Sequence, residues 1–222
     1  MLPEIGEAGQ RKIASSSVLI VGLGGLGSPV SMYLAGAGVG RIGLAGPDTV
    51  SVTNLQRQIL YDVRQTGMLK AEAAAERLSA FSPDTVFETF PTAVTGDNAM
   101  SLVEKYDVVV DCCDNFTTRY ILDEACSACG KPLVFGAIGE YSGQVTVLDG
   151  RAGKRLSDLY PDRESLCSRP VSVSGVIGPV PGVIGSVQAC ETLKLLAGFG
   201  EPLDGRLFVI DLLTLRSDIV DF

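Results

Sequence analysis

The stretch Val18–Gly27, VLIVGLGGLG, runs apolar, largely β-branched residues straight into Gly22, Gly24, Gly25 and Gly27. Its first half reads as a strand buried on both faces, the pattern of a parallel sheet. The glycines let the backbone turn tightly and approach a phosphate, and the next helix offers unpaired N–H groups to the same anion. Leu26–Ala37 has the spacing of that helix, with Leu26, Val30 and Leu34 on one face and Gly36, Gly38 and Gly40 at its end. A ligand-free structural turn is the alternative. A strand before the glycines and a helix after them favour a nucleotide.

Outward from that stretch, Met1–Ser17 reads as a short helix whose Ile5 and Ile13 pack on the sheet. Downstream, Arg41–Ala45 is a second strand, broken by Gly46, Pro47 and Asp48. Thr53–Tyr61, TNLQRQILY, suggests a short helix capped by Thr53 or Asn54. Lys70–Phe81 has one apolar face of Ala71, Ala74, Leu78 and Phe81. Strands at Val86–Phe90, Asp107–Asp111 and Leu133–Ile138 then alternate with helices at Asp97–Tyr106 and Thr117–Cys129. This alternation predicts an α/β fold with a Rossmann-like doubly wound sheet, parallel in its first half. The C-terminal strands read as antiparallel: Gln144–Leu148 returns across GEYSG, and Leu207–Leu212 pairs with Leu215–Val220. Between them lie a long crossover loop near 149–181 and a helix at Val183–Leu196. Without a repeat or a linker, residues 1–222 are expected to form a single domain.

Composition narrows the function. A chain of 222 residues can bury a large core. A net charge of −8 opposes non-specific nucleic-acid binding. No apolar run has the length of a membrane span, no signal peptide is evident, and six cysteines without framework spacing suit a reducing cytosol. A cytoplasmic protein without nucleic-acid or membrane partners is therefore expected. The chain has no histidine, which excludes His-based triads and His metal ligands.

The C-terminal ends of parallel strands form the ligand crevice of such a sheet. The glycine turn follows the first strand there. Asp48, Asn54, Arg57 and Gln58 follow the second, Asp114 and Asn115 follow the fourth, and Lys70 opens a helix on the same side. Arg57 and Lys70 can neutralise a polyphosphate while a carboxylate such as Asp114 holds Mg²⁺, which is the equipment of nucleotidyl transfer from ATP. An attacking carboxylate is already ionised at pH 7 and needs no general base. Each residue also has a plainer reading: Arg57 and Lys70 as solvated helix cations, Asp114 as the cap of the helix near Thr117, Asn54 as the cap of its own turn.

Six blocks together carry a resemblance along nearly the whole chain: VLIVGLGGLGSP, DTVSVTNLQRQ, TGMLKAEAAAERL, DCCDNFTTR, GQVTVL and GVIGPVPGVIGSVQACETLKLLAG. They resemble the HesA/MoeB/ThiF family, the bacterial relatives of ubiquitin-activating enzymes. The resemblance implies a homodimeric adenylyltransferase. It would activate the C-terminal glycine of a small ubiquitin-like sulfur carrier, ThiS-like and ending in Gly-Gly, with Mg-ATP and release of pyrophosphate. It places Gly24 and its neighbours at the α-phosphate, Asn54, Arg57 and Lys70 on the phosphates, and Mg²⁺ on Asp114.

Three positions depart from the family pattern. Gly46 stands where the family has an acid on the ATP ribose, leaving Asp48 as the only nearby acid. Arg11 and Lys12 do not match the arginine that an N-terminal RYxRQ-type segment supplies across the dimer, so phosphate neutralisation is expected to be one cation short. Gly153–Tyr160, GKRLSDLY, lacks one of the family's zinc-binding CxxC pairs, and no cysteine follows Cys190, so no zinc is expected. Cys112 and Cys190 read as core, and Cys126 and Cys129 as a helical pair without a partner pair. Cys167 lies in the crossover loop between Arg163 and Arg169, where some relatives keep a reactive cysteine; a bystander thiol is the equal alternative. The short chain and the missing pairs favour the thiamine (thiazole) carrier over MoeB-like activation for molybdopterin. A degenerate, binding-only member and a nicotinamide-dependent oxidoreductase are the readings from other classes.

Overall fold

A computed structural model describes residues 2–149, 153–168 and 175–222. In chain order these residues form α1 (Gly6–Ser15), β1 (Ser17–Val21), α2 (Gly27–Gly36), β2 (Arg41–Ala45), α3 (Lys70–Phe81), β3 (Val86–Phe90), α4 (Ala99–Val103) and β4 (Val108–Asp111). The second half holds α5 (Phe116–Cys129), β5 (Pro132–Ile138), β6 (Ser142–Asp149), α6 (Leu156–Leu159), α7 (Arg163–Ser168), α8 (Pro179–Ala197), β7 (Arg206–Asp211) and β8 (Arg216–Asp221). One eight-stranded sheet runs in the order β3-β2-β1-β4-β5-β6-β7-β8. The strands from β3 to β5 are parallel, and β6, β7 and β8 attach antiparallel, as the sequence predicts.

Alternation along β1 explains the two layers. Val18 and Ile20 face one apolar cluster with Val30, Leu34, Leu78 and Ile184, beneath α2, α3 and α8. Leu19 and Val21 face the other, with Leu102, Val103, Leu122 and Phe135, beneath α4 and α5. Every residue of β1 is buried, which explains its unbroken apolar run. Register places Val21 level with Ala45 of β2 and with Asp111 of β4. The residues just beyond these three therefore open together, where strand order reverses around β1.

Several boundaries differ from the sequence reading. No helix spans Thr53–Tyr61: a single 3₁₀ turn covers Val52–Asn54 behind Ser51. The Asn54 carbonyl accepts both the Arg57 and Gln58 N–H groups, and the chain then leaves the turn so that Leu60 and Tyr61 are buried while Ile59 is exposed. α8 starts at Pro179 rather than Val183, because proline is accepted in a first helical turn. Leu215 belongs to the β7–β8 turn, with a left-handed φ of 57°, and not to β8. Cys190, expected in the core, is exposed. Around Cys190 the residues of α8 that turn inward include the polar Gln188, Glu191 and Thr192, each hydrogen-bonded. Gln188 Nε2 donates to the Asp111 carbonyl at 2.7 Å and the Val134 carbonyl at 3.2 Å. Gly136 makes room for it: a Cβ there would lie 2.3 Å from Gln188 Cδ. Parts of the 149–181 crossover lie outside the described residues. The rest holds α6 and α7 where the sequence suggested only a loop.

Candidate active site

Beyond β1, Gly22 turns the chain with φ of 93°, a conformation that disfavours a side chain. A Cβ at Gly27 would come within 2.2 Å of the Gly22 carbonyl oxygen, so the turn closes only around bare backbone. The Gly24 carbonyl accepts the Ser28 N–H and hydroxyl, and Gly24 itself faces the Gln58 amide. Gln58 is buried and its Oε1 has no partner among the described residues. The Arg57 stem passes beside Gly25, and its guanidinium makes no ion pair among the described residues. Asn54 is half-buried on the same turn.

A cavity of about 180 Å³ opens at the strand ends, lined by Gly22, Leu23, Gly46, Asp48, Lys70, Val94, Asp114, Asn115 and their neighbours. Lys70 is 4% exposed, although it is a lysine. Its Nζ meets Asp48 Oδ2 at 2.9 Å, and its backbone N–H donates to the Asp48 carbonyl at 2.8 Å. Buried Tyr61 donates to the Leu23 carbonyl at 2.9 Å, and burial followed by the nearby Asp48 charge pushes its phenol up.

Across the cavity, Asn115 and not Asp114 caps α5, accepting the Thr118 N–H at 2.9 Å. Asp114 is thereby left free of the capping role. It is exposed, with a 3.4 Å contact from the Asn115 amide. An exposed carboxylate beside a phosphate-sized space fits Mg²⁺, which takes oxygen ligands and shares them with substrate phosphates and water.

Behind Asp114 stands a buried pair without a role in the sequence reading. Asp111 Oδ1 accepts the Cys113 N–H at 2.9 Å. Arg119 donates to the Cys113 carbonyl at 2.7 Å and lies over the rings of Phe116 and Phe135. Burial pushes the Asp111 carboxyl up, against the opposing pull of Arg119. The signal was an arginine within DCCDNFTTR, on the helix after a strand-terminal aspartate. A second, larger cavity of about 600 Å³ also went unseen in the sequence. It lies between Arg119, Gly139, Gln144, Tyr160, Asp211 and neighbouring residues of the antiparallel strands.

Cys167 lines neither cavity. It sits on α7, half-buried against the α5 layer, and Arg163 is its neighbour on the same helix. Arg169, the other arginine of that reading, lies outside the described residues. Cys112 and Cys113 are buried, and burial raises both thiols well above the ordinary range.

The profile of the ThiF family matches residues 1–221. The chain belongs to the ThiF family. Among ThiF-family relatives, the sulfur carrier protein adenylyltransferase of Thermus thermophilus is 44% identical over 219 residues, covering 96% of this chain and 81% of that protein. The adenylyltransferase and sulfurtransferase MOCS3 of Mus musculus is 42% identical over 216 residues, covering 95% of this chain and 46% of that one. The chain thus spans most of the bacterial relative and about half of the MOCS3 proteins. The crystal structure of E. coli MccB with ATP superposes with a TM-score of 0.82 at 21% identity, over 96% of this chain and 66% of that one, a likeness of fold. This ThiF-family chain shares with it the fold that the alternation of strands and helices predicts.

Proposed function

We propose that this ThiF-family adenylyltransferase activates the C-terminal glycine carboxylate of a small ubiquitin-like sulfur carrier with Mg-ATP. The observation that carries the reading is the buried Lys70 ammonium opening, with Gly22 and Asp114, onto one cavity at the switch point of the sheet. The residues 1–222 act in it as one adenylation domain.

The carrier carboxylate attacks the α-phosphorus. A C–O–P bond forms, the bond from the α-phosphorus to the bridging oxygen breaks, and pyrophosphate leaves with that electron pair. No proton moves, so a chain without histidine suffices. Backbone N–H groups of the turn between Leu23 and Gly27 face the α-phosphate. Arg57 and Lys70 offset the triphosphate charge, and Asn54 and Gln58 donate amide hydrogen bonds beside it. Asp114, with Asn115 next to it, would hold Mg²⁺, which would supply charge neutralisation to the triphosphate. No step is assigned to Cys167 in the adenylation itself.

The thiamine (thiazole) carrier is favoured over the molybdopterin carrier because Gly153–Tyr160 has no CxxC pair. The working unit is a cytoplasmic homodimer. ATP–pyrophosphate exchange with carriers ending in Gly-Gly tests the reading. Exchange that depends on one carrier and is lost in Asp114→Ala supports it and names the pathway. A folded dimer that exchanges with no carrier and is not stabilised by Mg-ATP overturns it in favour of a binding-only protein.

A further inference from the structure

In dinucleotide-binding sheets with this glycine turn, an acid about 20 residues further on hydrogen-bonds the ribose 2′-hydroxyl. Here β2 ends at Ala45 and the next residue, Gly46, lines the cavity without a side chain. The space is open: a Cβ built on Gly46 would meet nothing closer than Leu23 N at 3.9 Å. The next acid, Asp48, is turned to another task. Its Oδ2 accepts from Lys70 Nζ at 2.9 Å while its carbonyl accepts the Lys70 N–H at 2.8 Å. Lys70 is buried, so Asp48 fixes where the ammonium points. An ammonium has three donors, and two remain for phosphate oxygens.

We infer that Asp48 is a positioning residue for Lys70 and not a ribose ligand, so that this site takes 2′-deoxyadenosine triphosphate about as readily as ATP. The inference rests on the proposed nucleotide site. A site built to bond a substrate hydroxyl rejects the analogue lacking it by as much as about 10⁴-fold, because its own polar group is left unpaired. A glycine leaves nothing unpaired. The nucleotide is then held through its phosphates.

The test compares Mg-ATP with Mg-2′-deoxyATP in equilibrium binding to the full chain and in carrier-dependent pyrophosphate exchange. For the unaltered protein the two affinities are expected within about threefold of each other. Asp48→Asn is expected to weaken both by a similar factor, about tenfold, through Lys70, leaving their ratio unchanged. Gly46→Asp is expected to raise the ratio above about tenfold by restoring a hydroxyl partner. Thermal unfolding verifies that both variants fold, and the comparison on the unaltered protein needs neither. If ATP binds and 2′-deoxyATP is more than about thirtyfold weaker, the inference is overturned while the nucleotide site stands. An Asp48→Asn effect confined to ATP overturns it as well. If neither nucleotide binds, the nucleotide site is refuted and the inference with it.

Discussion

Asp111 Oδ2 and Arg119 Nε face each other at 3.9 Å in the interior, and neither atom has a hydrogen-bond partner among the described residues. The pair is held by charge and by what surrounds it: the Cys113 and Gly136 carbonyls, and two aromatic rings. It clamps the end of β4, the start of α5 and β5 around the loop that carries Asp114. Removing one member strands the other's charge. Arg119→Ala is expected to cost about 3–5 kcal/mol in urea unfolding. Arg119→Lys should recover little, because Arg119 reaches both carbonyls through Nη2 while Nε faces Asp111, and a lysine has only one nitrogen for the two tasks.

The glycine turn should discriminate sharply between neighbouring positions. Gly27→Ala places a methyl 2.2 Å from the Gly22 carbonyl oxygen, against backbone that cannot move aside. A loss of about 1–3 kcal/mol is expected in thermal or denaturant unfolding. Gly24→Ala meets only the Gln58 amide, at 3.5 Å, and is expected to fold normally. If both variants unfold alike, the steric account of the turn is wrong.

Lys70→Met, which keeps the buried stem and removes the charge, should separate stability from activity. Its partner Asp48 has a side chain 65% exposed, so losing the pair leaves a solvated carboxylate and the melting temperature moves little. Pyrophosphate exchange is expected to fall about 10²-fold or more, from the loss of a cation at the developing charge. Arg57→Ala should lower exchange in the same direction without touching the fold, since Arg57 makes no ion pair among the described residues.

Glu88 gives a pH signature away from the site. Its Oε2 accepts the Tyr106 hydroxyl at 2.5 Å and pairs with Arg41 at 3.0 Å, and these hold its carboxyl below the usual glutamate value of 4.5. A carboxyl with a depressed folded pKa adds stability above its unfolded pKa and loses it as pH falls through the folded value. Glu88→Gln should therefore be less stable than the unaltered protein at pH 7. Melting curves of the two should converge as pH drops below 4.5. The half-exposed pair keeps the effect small, at about 1 kcal/mol or less.

The strand and helix pattern was legible because apolar periodicity reports burial directly. The run Val18–Val21 and the residues Ala71, Ala74 and Leu78 of α3 declared their faces, and α3 runs from Lys70 to Phe81 as its spacing predicts, but Phe81, expected on the same buried face, ends the helix exposed to water. Glycines after β1 and acids after β2 and β4 could be assigned to one edge, because a parallel sheet sends all those strand ends the same way. What periodicity cannot show is a polar group buried for its hydrogen bonds. Gln188, Glu191 and Thr192 share the inner face of α8 with Ile184 and Ala189, and Cys190 is left outside. Capping was ambiguous for a related reason: Asp114 and Asn115 both suit an N-cap, and only the turn geometry chose Asn115, leaving the carboxylate unspent. The Arg119 contacts join residues from three elements, so no single stretch of sequence announces them.

The uneven burial of the thiols makes the chain its own reporter. Cys190 is open to water, Cys129 and Cys167 are half-covered, and Cys112, Cys113 and Cys126 are sealed, with burial raising each thiol. Because the thiolate is the reacting form, a maleimide or iodoacetamide pulse should tag Cys190 within the native state and reach the sealed three only through opening. Cys113 lines the cavity wall beside Asp114. Its labelling rate, followed residue by residue in a mass spectrometer, becomes a stopwatch for breathing of the crevice, and a ligand that closes the crevice should slow it.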